Sequence, residues 1–342
     1  MTEPGDVKVA VLGTGSMGSS HARVYAEMDH VRLVGVADPE ERTAAKVARR
    51  YGCPAYADVR RLLDEQRPDL VSVAVPTRAH VAVACEAMSR GVHVLVEKPL
   101  APSVQEGRLI VEAAAANGVK LAVGHIERFN PAVAEIKRRL GDAELGRVFQ
   151  IHARRLSPFP GRIADVGVIL DLATHDIDVM HHLLGSEVER VYAETEQKAH
   201  ATCEDLVSAL VRFSDGVIGL LDVNWLTPAK VRTLTVLGEG GMYVADYLTQ
   251  DVYWYKNGPG GATFESLTVF RGAWEGDMVR VRLDKKEPLR AQLESFVQAV
   301  TDDLEPAVTG LDGLVAIDLS MTLMESGRRH VPVAPNRITV TA

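Results

Sequence analysis

A chain of 342 residues with 46% hydrophobic and 25% charged residues is globular, and it is expected to form two domains because single cores stop growing at about 250–300 residues. Its net charge of −8 excludes a nucleic-acid partner held by broad electrostatics, and no apolar stretch approaches the roughly 20 residues of a membrane span. Cys53, Cys85 and Cys203 are odd in number and widely spaced, so they make neither a disulfide framework nor a zinc pattern; with a polar, acidic Met1–Lys8 in place of a leader, a cytoplasmic location is expected.

Through residue 124 the chain alternates short valine-rich runs with helical patterns. Val7–Leu12, Arg32–Ala37, Leu70–Val75, His93–Glu97 and Lys120–Gly124 read as strands covered on both faces. Met17–Met28, Glu40–Tyr51, Val59–Gln66, His80–Arg90 and Val104–Asn117 read as helices. Gly52, Gly91 and Gly118 are expected at their C-caps, and Asp58 and Ser103 at N-caps. This alternation predicts an α/β fold: a doubly wound parallel sheet with right-handed crossovers over residues 1–124.

The pattern then changes, and residues 125–342 are expected to form a second α/β domain with a large, mostly antiparallel sheet. Helices are predicted at Pro131–Leu140 and Gly167–Leu184, with a strand at Val148–Arg155 between them. Strands follow at Asp205–Phe213, Val217–Trp225, Val231–Leu237, Met242–Ala245, Val252–Tyr255, Ser266–Phe270 and Val279–Leu283, with a loop at Gly258–Gly261. Leu289–Asp302 and Leu311–Arg328 close the chain as helices that can pack back on the first domain.

Gly13-Thr14-Gly15-Ser16-Met17-Gly18 lies between a predicted strand and a predicted helix, the context a dinucleotide fingerprint requires. Gly13 permits the tight turn, Gly15 lets backbone approach a pyrophosphate, and Gly18 lets helix and strand pack closely. Ser16 and Met17 open the helix, whose free N–H groups face the phosphates. Asp38, 20 residues after Gly18, can accept from both adenosine ribose hydroxyls and would repel a 2′-phosphate. That favours NAD over NADP, although the nearby Arg42 could accommodate the extra phosphate. Thr77 and His80, after the strand Leu70–Val75, are expected to border the nicotinamide ribose; Thr77 alternatively caps the next helix.

Glu97-Lys98-Pro99 ends another strand of the same sheet. A lysine there is partly desolvated beside a cationic nicotinamide, and its charge can stabilise an alkoxide. In the helix from Gly167, Asp171, His175, Asp178 and His182 fall on one stripe, which either faces water or faces a substrate. Histidine suits general-base work because its ordinary pKa is near neutrality. No His-Glu-x-x-His or Cys-x-x-Cys spacing accompanies His181-His182, so no metal is expected.

Gly13–Gly18, Glu97-Lys98-Pro99, Arg128-Phe129-Asn130-Pro131 and Asp171-x-x-x-His175-x-x-Asp178, in this order, resemble the Gfo/Idh/MocA oxidoreductases, a family that includes glucose–fructose oxidoreductase and inositol dehydrogenase. The resemblance covers essentially the whole chain. It implies NAD(P) on the N-terminal domain, Glu97 and Lys98 beside the cofactor, and Lys98, Asp171 and His175 as the catalytic set. It also implies a homodimer or homotetramer built through the open face of the second-domain sheet. Many members carry a glycine run before the aspartate that matches Asp171, where this chain has Asp165-Val166-Gly167-Val168-Ile169-Leu170. With Gly124–Pro131, this looks closer to the UDP-N-acetylglucosamine 3-dehydrogenases than to enzymes of polyols or free sugars.

A nucleotide diphosphate needs local cations, and Arg128, Arg154 and Arg162, with Asn130, are expected to contact substrate. Arg154 and Arg155 are strand neighbours, so only one can face the cleft and the other is expected on the surface. The function expected is oxidation of a sugar 3-hydroxyl lying between His175 and Lys98, with hydride passing to NAD⁺. The rivals are a 3-ketoreductase running in reverse, an inositol or free-sugar dehydrogenase, and a non-catalytic NAD-dependent sensor.

Overall fold

The computed structural model describes residues 6–160, 166–257 and 275–338. The expected fold class holds. The chain forms two compact units, one made of residues up to Ile126 with Glu287–Asp318, the other of Glu127–Lys286 with Leu319–Asn336.

In the first unit, β1 (Val7–Leu12), β2 (Val31–Ala37), β3 (Ala55–Tyr56), β4 (Leu70–Val73), β5 (His93–Glu97) and β6 (Leu121–Gly124) form a parallel sheet in the order β3-β2-β1-β4-β5-β6. Helices α1 (Ser16–Ala26), α2 (Glu41–Tyr51), α3 (Val59–Gln66), α4 (His80–Met88) and α5 (Val104–Ala116) make the crossovers. Val9, Val11, Val36, Leu70 and Leu95 are fully buried, and each such side chain contributes about 1.5–3 kcal/mol by leaving water. Asp58 and Ser103 do cap α3 and α5, accepting from Arg61 N and Glu106 N. A later helix, α8 (Pro288–Thr301), returns Leu289, Leu293 and Phe296 to this core, beside Val24 and Tyr25.

The register of the parallel strands fixes where function can sit. Leu12 pairs with Ala37 and with Val73, Val73 with Val96, and Glu97 with Gly124. The carboxyl ends of these strands therefore line one edge of the sheet, and the winding reverses between β1 and β4. Ligands of open α/β sheets bind at such an edge, beside the reversal.

The second unit holds α6 (Pro131–Gly141), β7 (Val148–Leu156), α7 (Thr174–Leu184), β8 (Val188–Glu196), β9 (Leu206–Phe213), β10 (Ile218–Asn224), β11 (Val231–Gly238), β12 (Gly241–Asp246), β13 (Asp251–Asn257) and β14 (Glu275–Val281). Among the described residues these strands make an eight-stranded sheet ordered β14-β13-β12-β11-β7-β10-β9-β8, antiparallel except for the β7–β10 pair. Ile151, Ala153 and Arg155 point from β7 to the face on which α7 packs. The last helix, α9 (Gly310–Arg329), divides between the units after Asp318. The expected loop Gly258–Gly261 and strand Ser266–Phe270 lie outside the described residues. Among the described residues, no helix is long and apolar enough to cross a membrane.

Candidate active site

The glycine loop is built as its spacing requires. Gly13 has φ +93°, and a Cβ there would lie 2.5 Å from Ala74 O; a Cβ on Gly18 would lie 1.8 Å from Gly13 O. Gly15 differs, because its Cβ would enter open space. That opening is where backbone must let a pyrophosphate approach, beside the start of α1, whose N-cap Gly15 leaves the first N–H groups without a side-chain acceptor. Ser16 and Met17 are exposed on the same turn.

Asp38 follows β2 at the same edge. Its Oδ2 accepts from Thr14 N at 2.7 Å and Thr14 Oγ1 at 3.0 Å, and its Oδ1 from Glu40 N at 2.9 Å. The carboxylate is locked against the glycine loop, and Oδ1, which accepts only once, keeps a lone pair for a ribose hydroxyl. Arg42 is exposed. These residues fit a dinucleotide without a 2′-phosphate. Asp38→Ala is expected to weaken NAD⁺ about tenfold, the loss of one charge-assisted hydrogen bond, and to tighten NADP⁺. Calorimetric titration of both cofactors checks this.

Thr77 heads a short 3₁₀ turn, Thr77–Ala79, and α4 begins without a side-chain cap, so the capping alternative for Thr77 does not hold. His80 is 1% exposed, with Nδ1 3.0 Å from Pro99 O and Nε2 2.9 Å from Val75 O. Burial pulls its pKa down despite the nearby carbonyls. It ties the end of β4 to the turn after Lys98, which replaces the expected border on a ribose. Glu97 is likewise turned inward. Its Oε1 accepts from His21 Nε2 at 2.8 Å and its Oε2 from Lys98 N at 3.2 Å. Lys98 follows at the sheet edge, half-buried, and its bond to Pro99 is cis.

In the second unit, Asp171 lies in a π-helical turn, Ile169–Ala173, that runs into α7 and carries His175 about one turn later. Such wide turns recur at functional sites, and this one alters the simple helical spacing on which the stripe was read. The turn is braced from outside: Glu204 accepts from Ile169 N, its carbonyl accepts from Val168 N, and a Cβ on Gly167 would lie 2.1 Å from its carboxylate. Asp171 and His175 are both half-buried, and Asp178 is 3% exposed, so the stripe does not face water.

Three of the expected substrate contacts are placed otherwise. Arg128 forms a buried bidentate pair with Asp178, Nε–Oδ2 2.8 Å and Nη2–Oδ1 2.6 Å. Asn130 caps α6 through Ala132 N and donates to Tyr247 O. Arg154 is exposed on the face opposite Arg155, with Nε 3.5 Å from Asp222. Arg155, expected on the surface if Arg154 faces a cleft, is instead the buried one: it grips Asp176 at 2.6 and 3.0 Å and Glu127 at 2.9 Å. Arg162 lies outside the described residues. Sequence reasoning also missed His21 and Glu204, whose partners are remote in the chain. Among the described residues, no group of three or more His, Cys, Asp or Glu side chains could hold a metal ion.

Comparison with known proteins fits this geometry. Residues 7–125 match the Gfo/Idh/MocA oxidoreductase family, NAD-binding Rossmann fold, and residues 133–244 match the Gfo/Idh/MocA C-terminal domain. UDP-N-acetylglucosamine 3-dehydrogenase of Acidithiobacillus ferrooxidans is 31% identical over 86% of this chain and 88% of its own. Its solved structure superposes with a TM-score of 0.82 over 94% of this chain and 97% of that one, at 28% identity. Inositol 2-dehydrogenase 4 of Saccharopolyspora erythraea is 32% identical over 92% of this chain and 89% of its own. With its glycine loop, locked Asp38 and strand-end lysine, the chain belongs to the Gfo/Idh/MocA family and is an NAD-dependent dehydrogenase of the sugar and polyol class.

Proposed function

We propose that the protein oxidises the 3-hydroxyl of UDP-N-acetylglucosamine to the 3-keto sugar. The observation that carries the reaction type is the placement of Lys98 on the same sheet edge as Gly13–Gly18 and Asp38. The likeness to the Acidithiobacillus enzyme carries the substrate. Bound NAD⁺ supplies the hydride acceptor. His175 takes the hydroxyl proton, the Lys98 ammonium stabilises negative charge on the oxygen, and Asp171 orients His175 or a neighbouring hydroxyl. The same groups serve the reverse reduction.

A second reading, an inositol 2-dehydrogenase, is favoured by the Saccharopolyspora relative and by the internal pairing of Arg128, which removes one cation from a diphosphate site. Thermal unfolding with NAD⁺ plus either UDP-N-acetylglucosamine or myo-inositol separates the two. A ligand at about 100 times its Kd adds about 2.7 kcal/mol to the native state. The nucleotide sugar is expected to raise Tm by several degrees and to generate absorbance at 340 nm. A response to myo-inositol alone overturns this substrate assignment.

The open face of the second sheet fits a second copy of the chain. Leu210, Ile218, Leu237 and Met278 are 49%, 39%, 38% and 57% exposed; the register puts Ile218, Leu237 and Met278 in one row across the sheet, with Gln150, Met242 and Tyr255 between them, and Leu210 in the next row. Exposed bands of this kind mark association surfaces. Leu237→Glu is expected to shift the protein from dimer or tetramer toward monomer in light scattering; an unchanged mass would move the interface elsewhere.

A further inference from the structure

His21 sits one turn after the last glycine of the cofactor loop, on the face of α1 that packs against the sheet, and it is fully buried. Its Nε2 lies 2.8 Å from Glu97 Oε1, across 76 residues of chain. A carboxylate in the interior of a parallel sheet is costly unless hydrogen-bonded and compensated. Burial pushes the Glu97 carboxyl upward, but the His21 hydrogen bond and charge, with Lys98, more than offset this and hold it below its usual range. An ionised carboxylate only accepts, so His21 Nε2–H is the donor.

The rest of the surroundings leave Glu97 little freedom. Its Oε2 accepts from Lys98 N at 3.2 Å. A Cβ on Gly124 would lie 3.0 Å from all three carboxylate atoms, so β6 closes the other side. Among the described residues His21 Nδ1 has no hydrogen-bond partner, and the ring stands edge-on to Tyr25, whose hydroxyl is engaged by Ser72. Among the described residues, the His21 ring thus makes its one hydrogen bond to Glu97. The helix that receives the cofactor phosphates and the strand end that carries Lys98 are joined through one buried pair.

We infer that His21 is a positioning residue for the hydride-transfer reaction: through Glu97 it fixes the backbone and the electrostatic surroundings of Lys98. This rests on the reading of Lys98 as the group that stabilises the reacting oxygen. His21, fully buried, acts through Glu97 and not by touching substrate.

The test uses the full-length protein and His21→Leu, His21→Gln, Glu97→Gln and Lys98→Ala. Amide hydrogen exchange reads positioning without any substrate. His21→Leu is expected to speed exchange at the Lys98 amide about tenfold or more while Val94 and Val96 in the same strand keep their rates. His21→Gln, which retains an N–H donor, restores the slow rate. With NAD⁺ and UDP-N-acetylglucosamine or myo-inositol, whichever is turned over, His21→Leu lowers kcat about 30-fold with NAD⁺ affinity kept within about threefold, and His21→Gln recovers most of the loss. Adding His21→Leu to Lys98→Ala lowers kcat no further, because the effect runs through Lys98. Should His21→Leu fail to fold, isosteric Glu97→Gln is expected to lower kcat about tenfold. Unchanged Lys98 exchange in folded His21→Leu, loosening spread evenly along β5, or full activity in Glu97→Gln overturns the inference. Full activity in Lys98→Ala defeats the reading beneath it instead, so the two failures are distinguishable.

Discussion

Lys98→Ala is expected to lower turnover about 10³-fold while leaving NAD⁺ affinity within about threefold. That corresponds to about 4 kcal/mol of transition-state stabilisation, the usual range for removing one preorganised donor aimed at developing negative charge. The half-buried position makes the ammonium worth more than it would be in water, because screening there is weaker. The cofactor cradle does not depend on this side chain: Gly13, Gly15, Gly18 and Asp38 are fixed by backbone geometry and by Thr14. Lys98→Arg keeps the charge but presents a planar fork of different reach, so it is expected to recover only part of the loss. Single-turnover absorbance at 340 nm, with calorimetric NAD⁺ titration, checks both numbers. Equal losses in binding and turnover would make Lys98 a cofactor ligand rather than a catalytic one.

Arg155→Leu is expected to be the most destabilising single change in the second unit, by about 3–5 kcal/mol, because it strands a buried carboxylate. Arg155 and Asp176 are 4% and 1% exposed, and the guanidinium also holds Glu127. Burial works against the Arg155 charge, but the Asp176 and Glu127 charges hold its pKa above the ordinary value. Burial lifts the Asp176 carboxyl above its usual range even against the pull of Arg155. Without Arg155 that lift grows, and the sign of the pH dependence follows. A native carboxyl with a raised pKa binds more protons than the unfolded chain between the two values, so native stability falls as pH rises through that window. The deficit of Arg155→Leu should therefore shrink on going from pH 7.5 to 5.5. Urea unfolding followed at Trp225 and Trp254, both in the second unit, measures it. A deficit that grows on acidification would mean that Asp176 stays ionised without its partner.

The first sheet was legible to within a residue or two for a physical reason. Val7–Leu12 and His93–Glu97 are apolar because both their faces are covered, and no competing pattern interrupts them. Ala55–Tyr56 is too short to show a period. β8 went unread because only Val191 and Ala193 are buried among Glu189, Arg190, Glu194 and Glu196; charges of this kind suit a sheet edge and resemble a solvated loop. The glycine loop and Asp38 were readable because their chemistry is local. The ion pairs were not. Alternation showed that Arg154 and Arg155 point opposite ways, but not which one is buried. The helix pattern singled out Asp171, His175 and Asp178 while Asp176, off that stripe, is the partner of Arg155. A helix this apolar is buried on more than one side, and its carboxylates are tolerated only because arginines from other segments meet them.

The most direct test of a sugar dehydrogenase that passes hydride to nicotinamide is to incubate the protein with NAD⁺ and UDP-N-acetylglucosamine deuterated at C3, then weigh the NADH. NADH carrying the deuterium from that carbon is expected. Unlabelled NADH, or no NADH from this nucleotide sugar while other substrates react, would contradict it.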